Sequence, residues 1–255
     1  MRLLARLGSV LSLCLIISLG CHPDGNSTRI AVAASLGNVI PTLHDEFVES
    51  KMLLGEEVNL EIIYGGSGEM IAQQRHSGIF DAMFLASREA MIPLLGSGRL
   101  GGFSDIRLGN SLRLVVLSSS EASTEGSSLE DFLTESDLVA IGGLGVPAGD
   151  YARRWLNTIE GLVLSEVNLV EFPNVRAVVA AVESGAVSGG FVYATDVINI
   201  EGLSILSQWE PESGGVEYGY ASIPESQLGA DFGEFIGERV DHFVSAGFTV
   251  LLEGE

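Results

Sequence analysis

Disulfides are the first thing this chain lacks. Of its two cysteines, Cys14 lies in an N-terminal apolar run and Cys21 just beyond it, so the folded part must hold together without a covalent staple. Basic residues are also scarce, at 13 Lys plus Arg against 34 Asp plus Glu, and loss of Arg2 and Arg6 with the N-terminal segment leaves 11 against 34. That balance excludes nucleic acid as a partner. It also opposes an anionic ligand at long range, but scattered carboxylates are screened over roughly 8 Å at physiological salt, whereas oriented amides act at contact inside a cleft. Histidine is limited to His22, His44, His76 and His242, and no pair has metal-ligand spacing, so no metal cation is expected. Residues 143–149 carry neither G-x-G-x-x-G nor a P-loop lysine, and no cofactor is expected. No second apolar run is long enough to cross a bilayer.

The run that is present, Val10 to Leu19 behind Arg2 and Arg6, reads as an export signal, because a span needs about 20 apolar residues. It ends in Ser18-Leu19-Gly20-Cys21, which resembles a lipoprotein processing site. Residues 1–20 are then a removable signal, and Cys21 becomes the acylated first residue of an exported, membrane-tethered chain in the periplasm or at the cell surface. The alternative is an ordinary signal peptide cleaved nearby.

Beyond it, apolar strand-like runs alternate with helical patterns, which predicts an α/β fold with mainly parallel sheets. The runs are Arg29 to Ala33, Val58 to Tyr64, Ala82 to Ala86, Leu112 to Ser118, Leu138 to Ile141 and Asn168 to Phe172. Ser35 is placed as the N-cap of a helix to about Ser50, kinked by Pro41. Asn174 caps a helix over Val175 to Ser184 that Gly185 ends; Gly68 or Glu69 opens another, and Gly149 to Asn157 forms a fourth. The Ser- and Glu-rich Ser119 to Ser128 stretch reads as a surface loop.

Small residues or hydroxyls stand where strands run into helices in Ala34-Ser35-Leu36, Gly65-Gly66-Ser67-Gly68-Glu69, Val146-Pro147-Ala148-Gly149-Asp150-Tyr151-Ala152 and Val192-Tyr193-Ala194-Thr195-Asp196. Backbone N–H groups are unpaired at helix N-termini and carry the positive end of the dipole. Several such turns converging on one cleft hold an anion without Lys or Arg. Each residue also has a plainer reading: Ser35 as a cap, Ser67 as part of a chain reversal, Tyr193 as a core tyrosine. Asp196, which would repel an anion, and Arg176 read as structural. Gly65 to Glu69 also resembles a nucleophile elbow, but Glu69 stands where a glycine is required, leaving a serine hydrolase using Ser67 as a remote alternative to a non-enzyme.

In order and spacing, these segments, with Asn174-Val175-Arg176-Ala177, Val182-Glu183-Ser184-Gly185 and Gly247-Phe248-Thr249, resemble the periplasmic molybdate-binding proteins of ABC importers from about Arg29 to Thr249. The resemblance implies a two-lobed, type II periplasmic-binding-protein-like fold, each lobe a mainly parallel sheet flanked by helices. Lobe 1 would span 29–115 plus 207–255 and lobe 2 116–206. It implies capture of molybdate or tungstate between the lobes by a monomer that delivers it to a membrane permease, with sulfate or phosphate as alternative ions. Ser35 and Ser67 would offer hydroxyl and amide donors, Ala148 and Val175 backbone amides, and Tyr193 its phenol. The chain departs from the family pattern at Gly142 to Gly145, at Leu85 to Arg88 and at Ser188, which leaves room for a shifted hinge or an altered ion preference.

Overall fold

Thr28–Ala33 forms the first strand, β1, and its last four residues are all buried, as expected of a parallel strand covered on both faces. The computed structural model describes residues 27–120, 128–198, 200–210 and 215–251; the signal segment, Cys21 and most of the Ser119 to Ser128 stretch lie outside them. After β1 come a short 3-10 turn over Ala34–Leu36, then α1 (Ile40–Leu53), β2 (Leu60–Gly65), α2 (Ser67–Ser77), β3 (Ala82–Leu85), α3 (Arg88–Gly96) and β4 (Phe103–Asn110). The chain then enters a second sheet with β5 (Leu112–Leu117), α4 (Leu129–Glu135), β6 (Val139–Gly142), α5 (Pro147–Leu156), β7 (Leu169–Phe172), α6 (Val175–Glu183), β8 (Gly189–Tyr193) and β9 (Leu203–Trp209). It returns through β10 (Val216–Ser222), α7 (Gln227–Gly237), α8 (Val240–Ser245) and β11 (Thr249–Val250).

Among the described residues the strands form two sheets, ordered β11-β4-β10-β3-β1-β2 and β7-β6-β8-β5-β9. Each is half parallel, through β2, β1 and β3 in one and β7, β6 and β8 in the other. The strands that arrive from the other lobe run antiparallel, so both sheets are mixed. The two-lobed α/β architecture is as expected, but the lobes exchange chain at Ser111 and between Trp209 and Val216. Boundaries after 115 and before 207 would cut β5 and β9, which pair with each other from Leu112↔Trp209 to Leu117↔Leu203. The apolar run from Leu112 is one strand of one sheet as far as Leu117, and the chain changes sheets just before it.

Strand register positions the functional turns. Ala33 stands level with Gly65 and Val32 with Phe84, so Ser35, Ser67 and Ala86 leave the sheet side by side. In the second sheet Gly142 stands level with Phe172, which sets the starts of α5 and α6 next to each other.

Helix α2 opens at Ser67 instead of Gly68 or Glu69 and α5 at Pro147 instead of Gly149, and the start of α1 differs most from expectation. Ser35 lies in the 3-10 turn instead of capping a helix, and Pro41 sits in the first turn of α1, where its missing N–H and fixed φ are tolerated, so no kink follows. Asn174 does cap α6, its Oδ1 accepting the Ala177 N–H at 3.0 Å, and Gly185 follows that helix with φ 71°. Aromatic side chains fill both cores. Phe47 meets Phe232 and Phe235 edge-on at 5.2 Å in the first lobe. In the second, Trp155 of α5 stacks on Trp209 at the end of β9, 6.2 Å apart and 6° from parallel. No helix among the described residues is long and apolar enough to cross a membrane.

Candidate functional site

The turns at the strand ends enclose one small cavity between the lobes. Ser35 and Ser67 form its first-lobe wall; Ala148, Val175 and Tyr193 form the facing wall. All five residues singled out in the sequence are therefore brought together. The cavity has about 20 Å³ for the centre of a water-sized sphere, above the roughly 10–15 Å³ one water requires. It is room for a single small guest. A larger groove of about 610 Å³ lies between β4 and α7, but Asp105, Glu234 and Glu238 line it, and its Arg107 is already paired with Glu217 at 2.7 Å.

Every residue lining the small cavity is uncharged. Ser67 is the first residue of α2, Val175 the first of α6 and Ala148 the second of α5, so their amides belong to first turns without intrahelical acceptors. The Asn174 cap occupies the third amide of α6 and leaves the first, on Val175, for whatever fills the cavity. The Ser67 Oγ accepts the Ala86 N–H at 3.2 Å, which keeps its own hydrogen available. Ser35 Oγ lies 2.9 Å from the Tyr218 Oη. Tyr193 Oη is enclosed by protein and has no hydrogen-bond partner. Burial, with Tyr218 and Asp196 nearby, drives its pKa well above the ordinary phenol value, so it stays protonated as a donor.

Behind Tyr193 lies Asp196, 1 % exposed. One carboxylate oxygen accepts the Tyr193 N–H at 3.2 Å and the other lies 3.6 Å from Arg176 Nε. Burial pushes this carboxyl up to about 7 against the opposing pull of Arg176 and the amide. Arg176 reaches across to the first lobe, donating to the Ala34 carbonyl at 3.3 Å and Asn38 Oδ1 at 2.7 Å. Its guanidinium thus joins the lobes and does not line the cavity, in keeping with its structural reading. The lobes also meet backbone to backbone. A Cβ on Gly66 would stand 2.6 Å from the Pro173 carbonyl oxygen, and one on Gly68 1.9 Å from that of Gly145.

Tyr218 and Asn110, which support Ser35 from behind, are absent from the sequence reading, since no local spacing marks them. Among the described residues no three His, Cys, Asp or Glu side chains gather as a metal site, and none of His44, His76 and His242 lines the cavity.

A Bacillus subtilis protein, YvgL, assigned as an ABC transporter substrate-binding lipoprotein, is 25% identical over 199 residues, 74% of each chain. The periplasmic molybdate-binding protein of Azotobacter vinelandii superposes with a TM-score of 0.63 at 18% identity, over 88% of this chain and 100% of that one. The sulfate-binding protein SubI of Mycobacterium tuberculosis gives 0.67 at 13% identity, over 88% and 86%. Residues 28–249 match the family described as bacterial extracellular solute-binding protein. With two lobes, a shared cavity and a match along nearly all of its folded length, the chain belongs to the bacterial extracellular solute-binding proteins.

Proposed function

We propose that this protein captures molybdate or tungstate in the inter-lobe cavity and delivers it to an ABC permease. The observation that carries the reading is the Tyr193 hydroxyl, a buried donor with no partner, facing a cavity whose walls offer only neutral groups. An unsatisfied buried donor costs about 1–3 kcal/mol, and an anion seated against it removes that penalty. A dianion in a dry cleft needs many donors, here the Ser35, Ser67 and Tyr193 hydroxyls and the Ser35, Ser67, Ala148 and Val175 amides. The names of the molybdate- and sulfate-binding neighbours point to the same class of ion. Hydrolysis by Ser67 is disfavoured, because its Oγ is engaged by the Ala86 amide and no histidine lines the cavity.

Calorimetric titration of molybdate, tungstate, sulfate and phosphate into residues 22–255 tests the reading. Tight molybdate or tungstate binding is expected, and sulfate binding with silence toward molybdate would replace it with a sulfate receptor. Tyr193→Phe should weaken the ion by roughly 1.5–3 kcal/mol, the range for a hydrogen bond to a charged partner, with little change in melting temperature. Unchanged affinity would remove Tyr193 from the site. We also propose the acyl anchor at Cys21; intact-mass measurement of membrane-extracted protein should show the added lipid, and an unmodified Cys21 in the soluble fraction excludes it.

A further inference from the structure

Behind the Ser35 wall, the direction of each hydrogen bond can be assigned atom by atom. Asn110 ends β4 where the chain passes to the second lobe. Its Oδ1 accepts the Ser111 N–H at 2.9 Å; a backbone N–H can only donate, so the amide orientation is fixed. Nδ2 then donates to Thr195 Oγ1 at 2.8 Å and to Tyr218 Oη at 3.4 Å. Tyr218 is completely buried, and its hydroxyl has one further neighbour, Ser35 Oγ at 2.9 Å. Tyr218 receives from Asn110 and so gives its own hydrogen to Ser35, because leaving it unused would strand a buried donor. Ser35 Oγ is thereby an acceptor on its hidden side, which leaves its own hydrogen free for the cavity that Ser35 lines.

We propose that Asn110 and Tyr218 are positioning residues that hold the Ser35 hydroxyl as a donor, so that the cavity prefers oxyanions without a proton over protonated ones. The inference rests on the oxyanion reading above and deepens it to a chemical class. A hydrogen phosphate carries an O–H that must find an acceptor, whereas molybdate, tungstate and sulfate at neutral pH carry none. Ser67, its oxygen taken by the Ala86 N–H, also has its hydrogen to offer, as does the unpartnered phenol of Tyr193. An O–H arriving against these three hydroxyls meets their hydrogens, and a ligand is rejected most strongly where its polar group is left unpaired.

The test compares the intact mature protein with Tyr218→Phe, Ser35→Ala and the double variant, titrating molybdate and phosphate at neutral pH after circular dichroism and thermal melting confirm folding. Phe keeps the ring and removes only the relay, so Ser35 becomes free to turn a lone pair into the cavity. Molybdate affinity should fall about 3–10-fold, part of what a hydrogen bond to a charged group contributes, and the molybdate-over-phosphate preference should narrow by about tenfold. Once Ser35 is alanine, Tyr218→Phe should leave the preference unchanged, since nothing remains to orient. The proposal is overturned if Tyr218→Phe keeps the wild-type preference, or shifts it as much without Ser35 as with it. A wild-type protein that binds neither ion defeats the oxyanion reading itself, a separate result.

Discussion

Asp196 carries the clearest single-residue consequence. Its carboxyl, pushed up to about 7 by burial, keeps a proton in the folded protein between roughly pH 4 and 7, where the unfolded chain has released it. The folded state therefore binds more protons over that window, and the group's contribution to stability falls as pH rises through it. Relative to Asp196→Asn, whose side chain does not titrate, the anion-free wild type should lose about 2–4 kcal/mol between pH 4 and pH 8. Denaturant unfolding of both proteins across that range measures the difference, and parallel curves would show Asp196 ionised throughout. At this scale the sequence was informative where chemistry follows from a local turn. Ser35, Ser67 and Tyr193 carry a hydroxyl at or just past a strand end, which local spacing marks, whereas Ala148 and Val175, at helix starts, use only their backbones and were indicated mainly by the family resemblance. Tyr218 and Asn110 were not legible, because Tyr218 meets Ser35 across 183 residues and Asn110 across 108, and neither pairing leaves a periodic trace.

Among the elements, α5 gives the sharpest test. Pro147 already occupies its first position and Ala148 the second, where a proline fits the helix but deletes an amide. Ala148→Pro should therefore abolish molybdate binding while helicity by circular dichroism is kept; normal affinity would place the pocket elsewhere. Largely apolar runs such as Arg29 to Ala33 and Ala82 to Ala86 were readable as strands. The strands β4 and β10, in Phe103-Ser104-Asp105-Ile106-Arg107-Leu108-Gly109-Asn110 and Val216-Glu217-Tyr218-Gly219-Tyr220-Ala221-Ser222, were missed, since charges and glycine break their apolar pattern. Pro41 was misjudged for a different reason: a proline restrains a helix interior but favours a helix start, and which applies depends on where the 3-10 turn ends.

For the whole molecule, the contact of Gly68 with the Gly145 carbonyl brings the lobes together in this conformation and leaves no space for a methyl group there. Gly68→Ala should fold, since a helix tolerates alanine, yet hold the lobes apart. Its molybdate affinity should drop by about tenfold or more, ~1.4 kcal/mol at least. Small-angle scattering should show the wild type contracting with molybdate and the variant failing to; equal contraction would place the closing surface elsewhere. Two lobes were foreseeable, but the crossing points were not, because the chain changes sheets at Ser111, next to the apolar run of β5 and without a composition break.

The stacked indoles of Trp155 and Trp209 are the only tryptophans in the sequence. One rides on the helix whose first turn lines the cavity, and the other ends the strand that leads back to the opposite lobe. Tryptophan emission thus originates from one stacked pair that joins the helix lining the cavity to the strand leading out of the second lobe. Oxyanion binding that moves the lobes should therefore change the intrinsic tryptophan emission, which makes it a dye-free readout of the proposed capture.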